Sequence, residues 1–228
     1  MSTTDKPARR ASARSRNSKD TGSRKREREI IEAATDIFYR KGYSETSVQD
    51  VAEAVGILKG SLYYYIDSKE DLLFRMLLEV HEDAKAVVTE TAALDVAPLE
   101  RLRIYIQRHV EYNARNLAKI AVFYHDFGLL SPKRKKAIMG NRRFYETFVQ
   151  GLIEEAQSNG EVDRSLDPVL VGNAIFGIVN WIYTWYDPAG PVTPEYLGKL
   201  YAEIAVTGVT GTSMPKPPPK PRARRKRS

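Results

Sequence analysis

Val48, Val51, Ala52 and Val55 recur at i, i+3, i+4 and i+7, the spacing that lines one face of an α-helix, and Gly56 follows at once. Thr46 or Ser47 supplies the side-chain oxygen that caps this helix, and Asp50 stands three or four residues on, where negative charge suits a helix N-terminus. Gly56 tolerates the left-handed backbone that ends a helix, and Ile57 restarts the chain as an apolar anchor. A second short helix then begins at Lys59. Two short helices joined by a tight glycine turn are the helix-turn-helix signature. Ahead of them Ile30, Ile31, Ala33, Ala34, Ile37 and Phe38 predict a helix stopped by Gly42, with an apolar face that roofs the pair. Behind them Ser68, Glu70 and Asp71 open a fourth helix through Leu72, Leu73, Met76, Leu77 and Val80, which links this part to the rest.

Helical periods continue to the C-terminal side. Leu99, Leu102, Ile106, Val110 and Ala114 mark Pro98 to Leu117, and Phe123 to Leu130 is a short aromatic segment ended by Ser131-Pro132. Pro132 to Ser158 predicts one long helix closed by Asn159-Gly160, and Asp167-Pro168 opens another. The stretch Val169 to Tyr186 is apolar nearly all round, the mark of a helix buried on every face. Pro194 to Val209 completes an all-α chain of about nine helices.

The second short helix carries the chemistry. Lys59-Gly60-Ser61 brings one cation, no bulk and one hydroxyl to its N-terminal end, which suits close approach to DNA phosphates and base edges. Leu62 faces the core. Tyr63, Tyr64 and Tyr65 project about 100° apart, so at least one hydroxyl must point outward. With Ala33-Ala34, Phe38, Gly42-Tyr43, Thr46-Ser47-Val48, Gly56-Ile57, Lys59-Gly60-Ser61-Leu62-Tyr63 and Ser68-Lys69-Glu70-Asp71-Leu72-Leu73, the stretch Ile30 to Leu73 resembles the DNA-binding domain of TetR-type transcriptional regulators. The resemblance implies that Thr46, Lys59, Ser61, Tyr63, Tyr64 and Lys69 lie on the DNA face, with Tyr63 and Lys69 on phosphates and Gly60 allowing close approach. Ser47 joins this set as the capping hydroxyl. Two positions depart from the family pattern: Leu58 replaces a frequent Ser and so removes a phosphate contact, and Ile66 replaces a frequent Phe.

Charge changes the picture at the two ends. The chain has 228 residues and a net charge of +7, with ten Lys or Arg against four acids in residues 1–29 and seven against none in residues 211–228. The tails thus carry +6 and +7, and the stretch between them −6. Both tails are poor in apolar residues, so they predict flexible segments. The expected division is a basic arm over 1–23, a DNA-binding domain over 24–70, a ligand-binding and dimerisation domain over 71–210, and a Pro-rich basic tail over 211–228. Arg24 and Lys25 adjoin the first helix, where they reach phosphates or the minor groove beside the site. There is no cysteine, hence no disulfide framework or thiolate site, and no run of about 18 apolar residues or signal-like leader. The expectation is a cytoplasmic protein.

Two features concern a partner and a ligand. Ile178, Ile182, Trp181 and Trp185 would not be exposed together on a monomer, so this helix and its neighbour predict a homodimer interface that includes Ile178, Ile182, Leu197, Tyr201 and Ile204. Two recognition helices related by a two-fold axis read a palindromic operator in double-stranded DNA. Aromatics with polar residues among them suit an apolar ligand site, and the candidates are Tyr105, His109, Phe123, Tyr124, Phe127, Arg143, Phe148, Phe176, Asn180, Trp181 and Trp185. Residues Ala174 to Val209, especially Asn180-Trp181 and Trp185-Tyr186-Asp187-Pro188-Ala189-Gly190-Pro191-Val192-Thr193, are similar to the C-terminal part of TetR-type regulators that respond to acyl-CoA thioesters in fatty-acid and sterol catabolism. That likeness implies a CoA thioester in a hydrophobic tunnel, with Arg142, Arg143 or Lys119 at its phosphates. His81, His109 and His125 share no metal-ligand spacing, and neither a cofactor nor a catalytic residue is expected. The rival classes are a nucleoid-type architectural DNA-binding protein and a helical enzyme in which Glu111, His109 or Asp126 serves as acid or base.

Overall fold

The computed structural model describes residues 8–139 and 142–211, and among them there are α-helices and short 3-10 turns but no strand. The helices are α1 (Ala8–Lys41), α2 (Val48–Ala54), α3 (Lys59–Leu62), α4 (Lys69–Ala92), α5 (Pro98–Arg115), α6 (Leu117–Asp126), α7 (Pro132–Met139), α8 (Arg142–Ser158), α9 (Pro168–Asn180) and α10 (Pro194–Thr210). The fold is all-α, as the periodicity predicts. The run expected as one helix from Pro132 to Ser158 is described as α7 and α8, with Gly140 and Asn141 between them outside the described residues. Helix α1 begins at Ala8, inside the segment expected to be a flexible arm; residues 1–7 and the Pro-rich tail from 212 onward lie outside the described residues. No helix among the described residues is long and apolar enough to cross a membrane.

The chain divides into two compact units. The described parts of Met1–His81 and Ala118–Ile138 form the first, and those of Glu82–Leu117 and Met139–Ser228 the second. In the first, Ile30, Ala34 and Phe38 of α1 meet Val51, Ala52, Leu62, Leu72, Leu73, Met76 and Leu77, with Val122, Leu130 and Ile138 completing the core. Apolar positions at 3–4-residue spacing on each helix thus converge, and their removal from water drives the assembly. An ion-pair network holds α7 to the start of α4. Arg134 pairs with the buried Asp71 carboxylate at 3.2 Å, Arg75 pairs with Asp71 at 2.8 Å and with Glu27 of α1, and Glu70 accepts the Ser131 backbone N–H at 2.8 Å. That last bond holds the Glu70 carboxyl below its ordinary pKa.

In the second unit α5 and α10 run antiparallel, with Arg103 paired to Glu203 at one end and Arg115 to Glu195 at the other. Between those pairs the helices approach so closely that a Cβ on Gly198 would sit 2.8 Å from the Gln107 carbonyl oxygen. Glycine is required there by space. The core of this unit includes Leu102, Tyr105, Ile106 and Val110 from α5, Val149, Leu152 and Ile153 from α8, Ile175 and Val179 from α9, and Leu197, Ala202, Ala205 and Val209 from α10. Helix α9 differs from the expectation of burial on every face. Gly172, Ile175 and Val179 are buried and Ile182 follows on the same side, whereas Leu170, Ile178 and Trp181 face outward. An all-apolar sequence fixes neither which side meets the chain's own core nor which side is left for something else.

Candidate functional site

The turn motif is built by side chains that fix its backbone. Gly42 ends α1 at φ 88° and Gly56 ends the α2 turn at φ 69°, both in the left-handed region that glycine enters without Cβ strain. Ser47, rather than Thr46, is the N-cap of α2. Its Oγ accepts the Asp50 N–H at 3.1 Å, and the Asp50 carboxylate accepts the Ser47 N–H at 2.6 Å. That backbone bond first, then the Lys41 ammonium at 2.9 Å, pulls the Asp50 carboxyl down to about 2. Arg26 of α1 donates to the Val55 carbonyl at 2.6 Å, tying the C-terminal end of α2 to α1.

Helix α3 has a single buried side chain, Leu62, which anchors it to the core. Everything else at its tip faces solvent. Lys59, Gly60 and Ser61 are exposed, Tyr63 is exposed, and Tyr64 is 82% exposed while its ring meets the half-buried Tyr65 edge-on. A Cβ on Gly60 would meet nothing within 4 Å, so the chain's own packing does not demand glycine there. A cation, a hydroxyl, two phenols and a bare backbone share one short exposed surface. Arg24 and Lys25 are exposed on α1.

Two of the expected DNA-facing residues are placed differently. Thr46 is buried, and its hydroxyl donates to the Gly42 carbonyl at 2.7 Å, so it closes the loop between α1 and α2 and does not face outward. Lys69 directs its ammonium inward, donating to the carbonyls of Tyr43, Ser44 and Thr46 at 2.9, 3.3 and 2.8 Å, and lies 4.4 Å from the Tyr43 ring centroid. An ammonium has three N–H donors, and three carbonyls use them all. The sequence places a cation correctly at the start of α4 but cannot show that three backbone acceptors converge on it.

In the second unit the candidate ligand residues divide. Tyr105, His109, Phe148, Phe176 and Asn180 come together: the Tyr105 hydroxyl lies 3.0 Å from His109 Nδ1, and His109 Nε2 lies 3.2 Å from Asn180 Oδ1. Phe148 meets the Tyr105 ring and Phe176 the His109 ring, both edge-on. Tyr105 donating to Nδ1 and Nε2–H donating to Asn180 is the arrangement of a neutral imidazole. Burial pushes the His109 pKa down to about 4, against a smaller upward pull from the Asn180 bond. Asn113, deeper in the core, donates to the Val179 carbonyl at 3.1 Å.

Phe123, Tyr124 and Phe127 do not join this cluster. They belong to the first unit, where Phe123 packs against the other two rings. Trp181 and Trp185 also stand apart, for both are exposed, and Trp185 stacks on Tyr201 with ring centroids 6.5 Å apart. Arg143 is exposed, Lys119 pairs with Glu79 at 2.8 Å, and the Arg142 side chain lies outside the described residues. Of the expected interface residues, Ile178 and Ile204 are exposed and Tyr201 is half-buried. Ile182 and Leu197 are sealed in the core of their own chain and cannot reach a partner. The further exposed apolar side chains are Leu170 and Trp181, at 66% and 61% exposure, and, on α10, Tyr196 and Leu200. A finer split of α10 by helical spacing would have found the last two, since Tyr196, Leu200 and Ile204 recur at four-residue intervals opposite Ala202 and Ala205.

A helix-turn-helix with an exposed polar recognition tip, followed by a larger helical unit, defines the class of DNA-binding transcriptional regulators. Residues 30–76 match the bacterial regulatory proteins of the tetR family, and residues 95–209 match the tetracyclin repressor-like C-terminal domain, so the chain belongs to the TetR family. It is similar to the HTH-type transcriptional repressor KstR2 of Mycolicibacterium smegmatis, 27% identical over 185 residues that cover 80% of this chain and 89% of that protein. The structure of the ketosteroid transcriptional regulator KstR2 of Mycobacterium tuberculosis aligns with a TM-score of 0.77 at 27% identity, over 81% of this chain and 95% of that one. AibR, solved in complex with isovaleryl coenzyme A and operator DNA, aligns with a TM-score of 0.70 at 27% identity, over 81% and 98% of the two chains.

Proposed function

We propose that the protein is a cytoplasmic repressor that binds a palindromic operator as a homodimer and is released by a hydrophobic small molecule, an acyl-CoA thioester being the ligand class. The observation that carries the DNA-binding half is the exposed tip of α3, where Lys59, Ser61, Tyr63 and Tyr64 surround a glycine that nothing in the fold requires. Lys59 neutralises a phosphate, the hydroxyls hydrogen-bond to phosphate or base edges, and Gly60 lets the backbone approach. Arg24 and Lys25 extend the positive surface along α1. One four-residue helix reads few base pairs, so the exposed apolar face of α9 and α10 is assigned to a second copy, which places two tips on half-sites about one helical turn apart.

The ligand half rests on the polar pair inside the aromatic cluster. His109 and Asn180, framed by Tyr105, Phe148 and Phe176, give an apolar surrounding with a few oriented polar groups, the composition that a ligand site requires. Likeness to AibR supports a coenzyme A thioester as the class, and Arg143 is the assigned phosphate contact. Helix α4 is a covalent route for the signal, because it begins in the first unit of the chain and runs on past His81 into the second. The test has three readouts. Selection from random duplexes should enrich one inverted repeat, sedimentation at micromolar concentration should give a dimer, and isovaleryl-CoA or longer acyl-CoA should release the selected duplex. Uniform coating of unrelated duplexes, or a monomer, overturns the repressor; release by no acyl-CoA removes only the ligand.

A further inference from the structure

Leu58 breaks two local rules at once. At 80% exposure it is the most exposed of the described large aliphatic side chains, and it occupies the N-cap of α3. The N-cap favours Ser, Thr, Asp or Asn, whose side-chain oxygen satisfies a free N–H of the first turn, and leucine offers none. The backbone at this position is nevertheless well held. Leu58 is extended at φ −69° and ψ 144°, and its carbonyl accepts the N–H groups of Ser61 at 2.9 Å and Leu62 at 3.2 Å. A fixed backbone presents the isobutyl group outward from one place, beside Lys59, the open Gly60 and Ser61. Its exposure gives the fold almost nothing and its missing cap oxygen is a cost, so what this side chain contributes is made to something outside the fold.

We infer that Leu58 reads sequence by packing against the C5-methyl group of a thymine in the major groove. This deepens the regulator reading and rests on it. The neighbours of Leu58 are suited to phosphates and polar base edges, and the apolar feature that ordinary duplex DNA offers in that groove is the thymine methyl. The expected gain is that of burying one methyl, about 0.8 kcal/mol or roughly four-fold per half-site, and on the order of 15-fold for both. It supplies discrimination that neither the Lys59 ammonium nor the Ser61 hydroxyl provides, because both are polar groups that gain nothing from a methyl.

The experiment replaces each thymine of the selected duplex in turn with deoxyuridine, which keeps every Watson–Crick and groove hydrogen bond and removes only the methyl. Wild-type protein should lose about four-fold at one symmetry-related thymine position. Leu58→Ala and Leu58→Ser should bind the thymine and uracil duplexes equally, and Leu58→Ser should keep or raise the thermal midpoint because it restores a capping oxygen. Equal binding of every uracil duplex by wild type, a selected half-site without thymine, or an undiminished penalty in both variants overturns the inference while leaving the regulator in place. Failure to enrich any duplex would overturn both.

Discussion

The two units leave opposite kinds of surface uncovered. In the first, the exposed tip of α3 is short and mostly polar; in the second, α9, the turn after it and α10 leave Leu170, Ile178, Trp181, Tyr196, Leu200 and Ile204 open. A polar tip is stable in water and waits for a charged partner, whereas an apolar face of this extent on one chain lowers its free energy only by being covered. Under the proposed function the first surface specifies a target and the second an assembly. If that contrast is right, charge placed on the apolar face should have the largest effect of any surface change. Leu170→Glu with Ile204→Glu should convert the dimer to a monomer by sedimentation and lower operator affinity on the order of 100-fold or more, since each tip then binds without the other. A double variant that remains dimeric would place the interface elsewhere.

Space separates two glycines in the same way. A Cβ at Gly198 would stand 2.8 Å from a backbone oxygen of α5, while one at Gly60 would stand in open solvent. Gly198→Val should therefore cost the fold about 3 kcal/mol or more, seen as a lowered thermal midpoint, because the helices must part. Gly60→Val should leave that midpoint within a few degrees and weaken operator binding. Were Gly60→Val to bind DNA normally, close approach at the tip would be excluded.

The contrast also governs what the sequence discloses. The recognition motif was legible almost residue by residue, because capping, the glycine turn and the apolar stripe of α2 are local and act over a few positions. Ser47, Asp50, Gly56 and Leu62 take the places that such rules give them. Lys69 escaped those rules, since its role comes from three carbonyls of the loop after α1, a long-range arrangement with no sequence spacing, whereas Thr46 turns inward through a local bond to the Gly42 carbonyl four residues back. In the second unit the same limit is wider. Aromatic residues at helical spacing mark an apolar face but not its occupant. Hence Tyr105, Phe148 and Phe176 meet around His109 while Trp181 and Trp185, equally aromatic, lie on the outside.

Acid should strain the second unit through His109. Burial lowers its folded pKa to about 4 from an ordinary value near 6.5, so the unfolded chain takes up a proton at a higher pH than the folded one. Stability from this group is complete above pH 6.5 and falls progressively as pH drops toward 4, by on the order of 3 kcal/mol if unopposed. Asp50 in the first unit behaves differently: its carboxyl, held down to about 2, keeps its contribution to the α2 cap throughout that window and loses it only at lower pH. Thermal unfolding between pH 7 and 4.5 should show the loss in wild type and a flatter profile in His109→Leu. An equally steep profile in the variant would assign the acid sensitivity to other groups.

The smallest effect expected, and the sharpest on the polar side of the comparison, separates two lysines ten residues apart. Lys59 is exposed with its charge directed to solvent, whereas Lys69 gives its three donors to the Tyr43, Ser44 and Thr46 carbonyls. Lys59→Met should leave the thermal midpoint nearly unchanged, weaken binding to all duplexes alike, and reduce the slope of log affinity against log salt by about 1, the signature of one lost phosphate contact. Lys69→Met should do the reverse, costing about 1 to 2 kcal/mol of stability as three carbonyls lose their donor. The salt slope should then stay that of wild type. A reduced slope in Lys69→Met would mean that the ammonium leaves the carbonyls when DNA arrives, and the loop after α1 would then be part of the reading surface and not only its support.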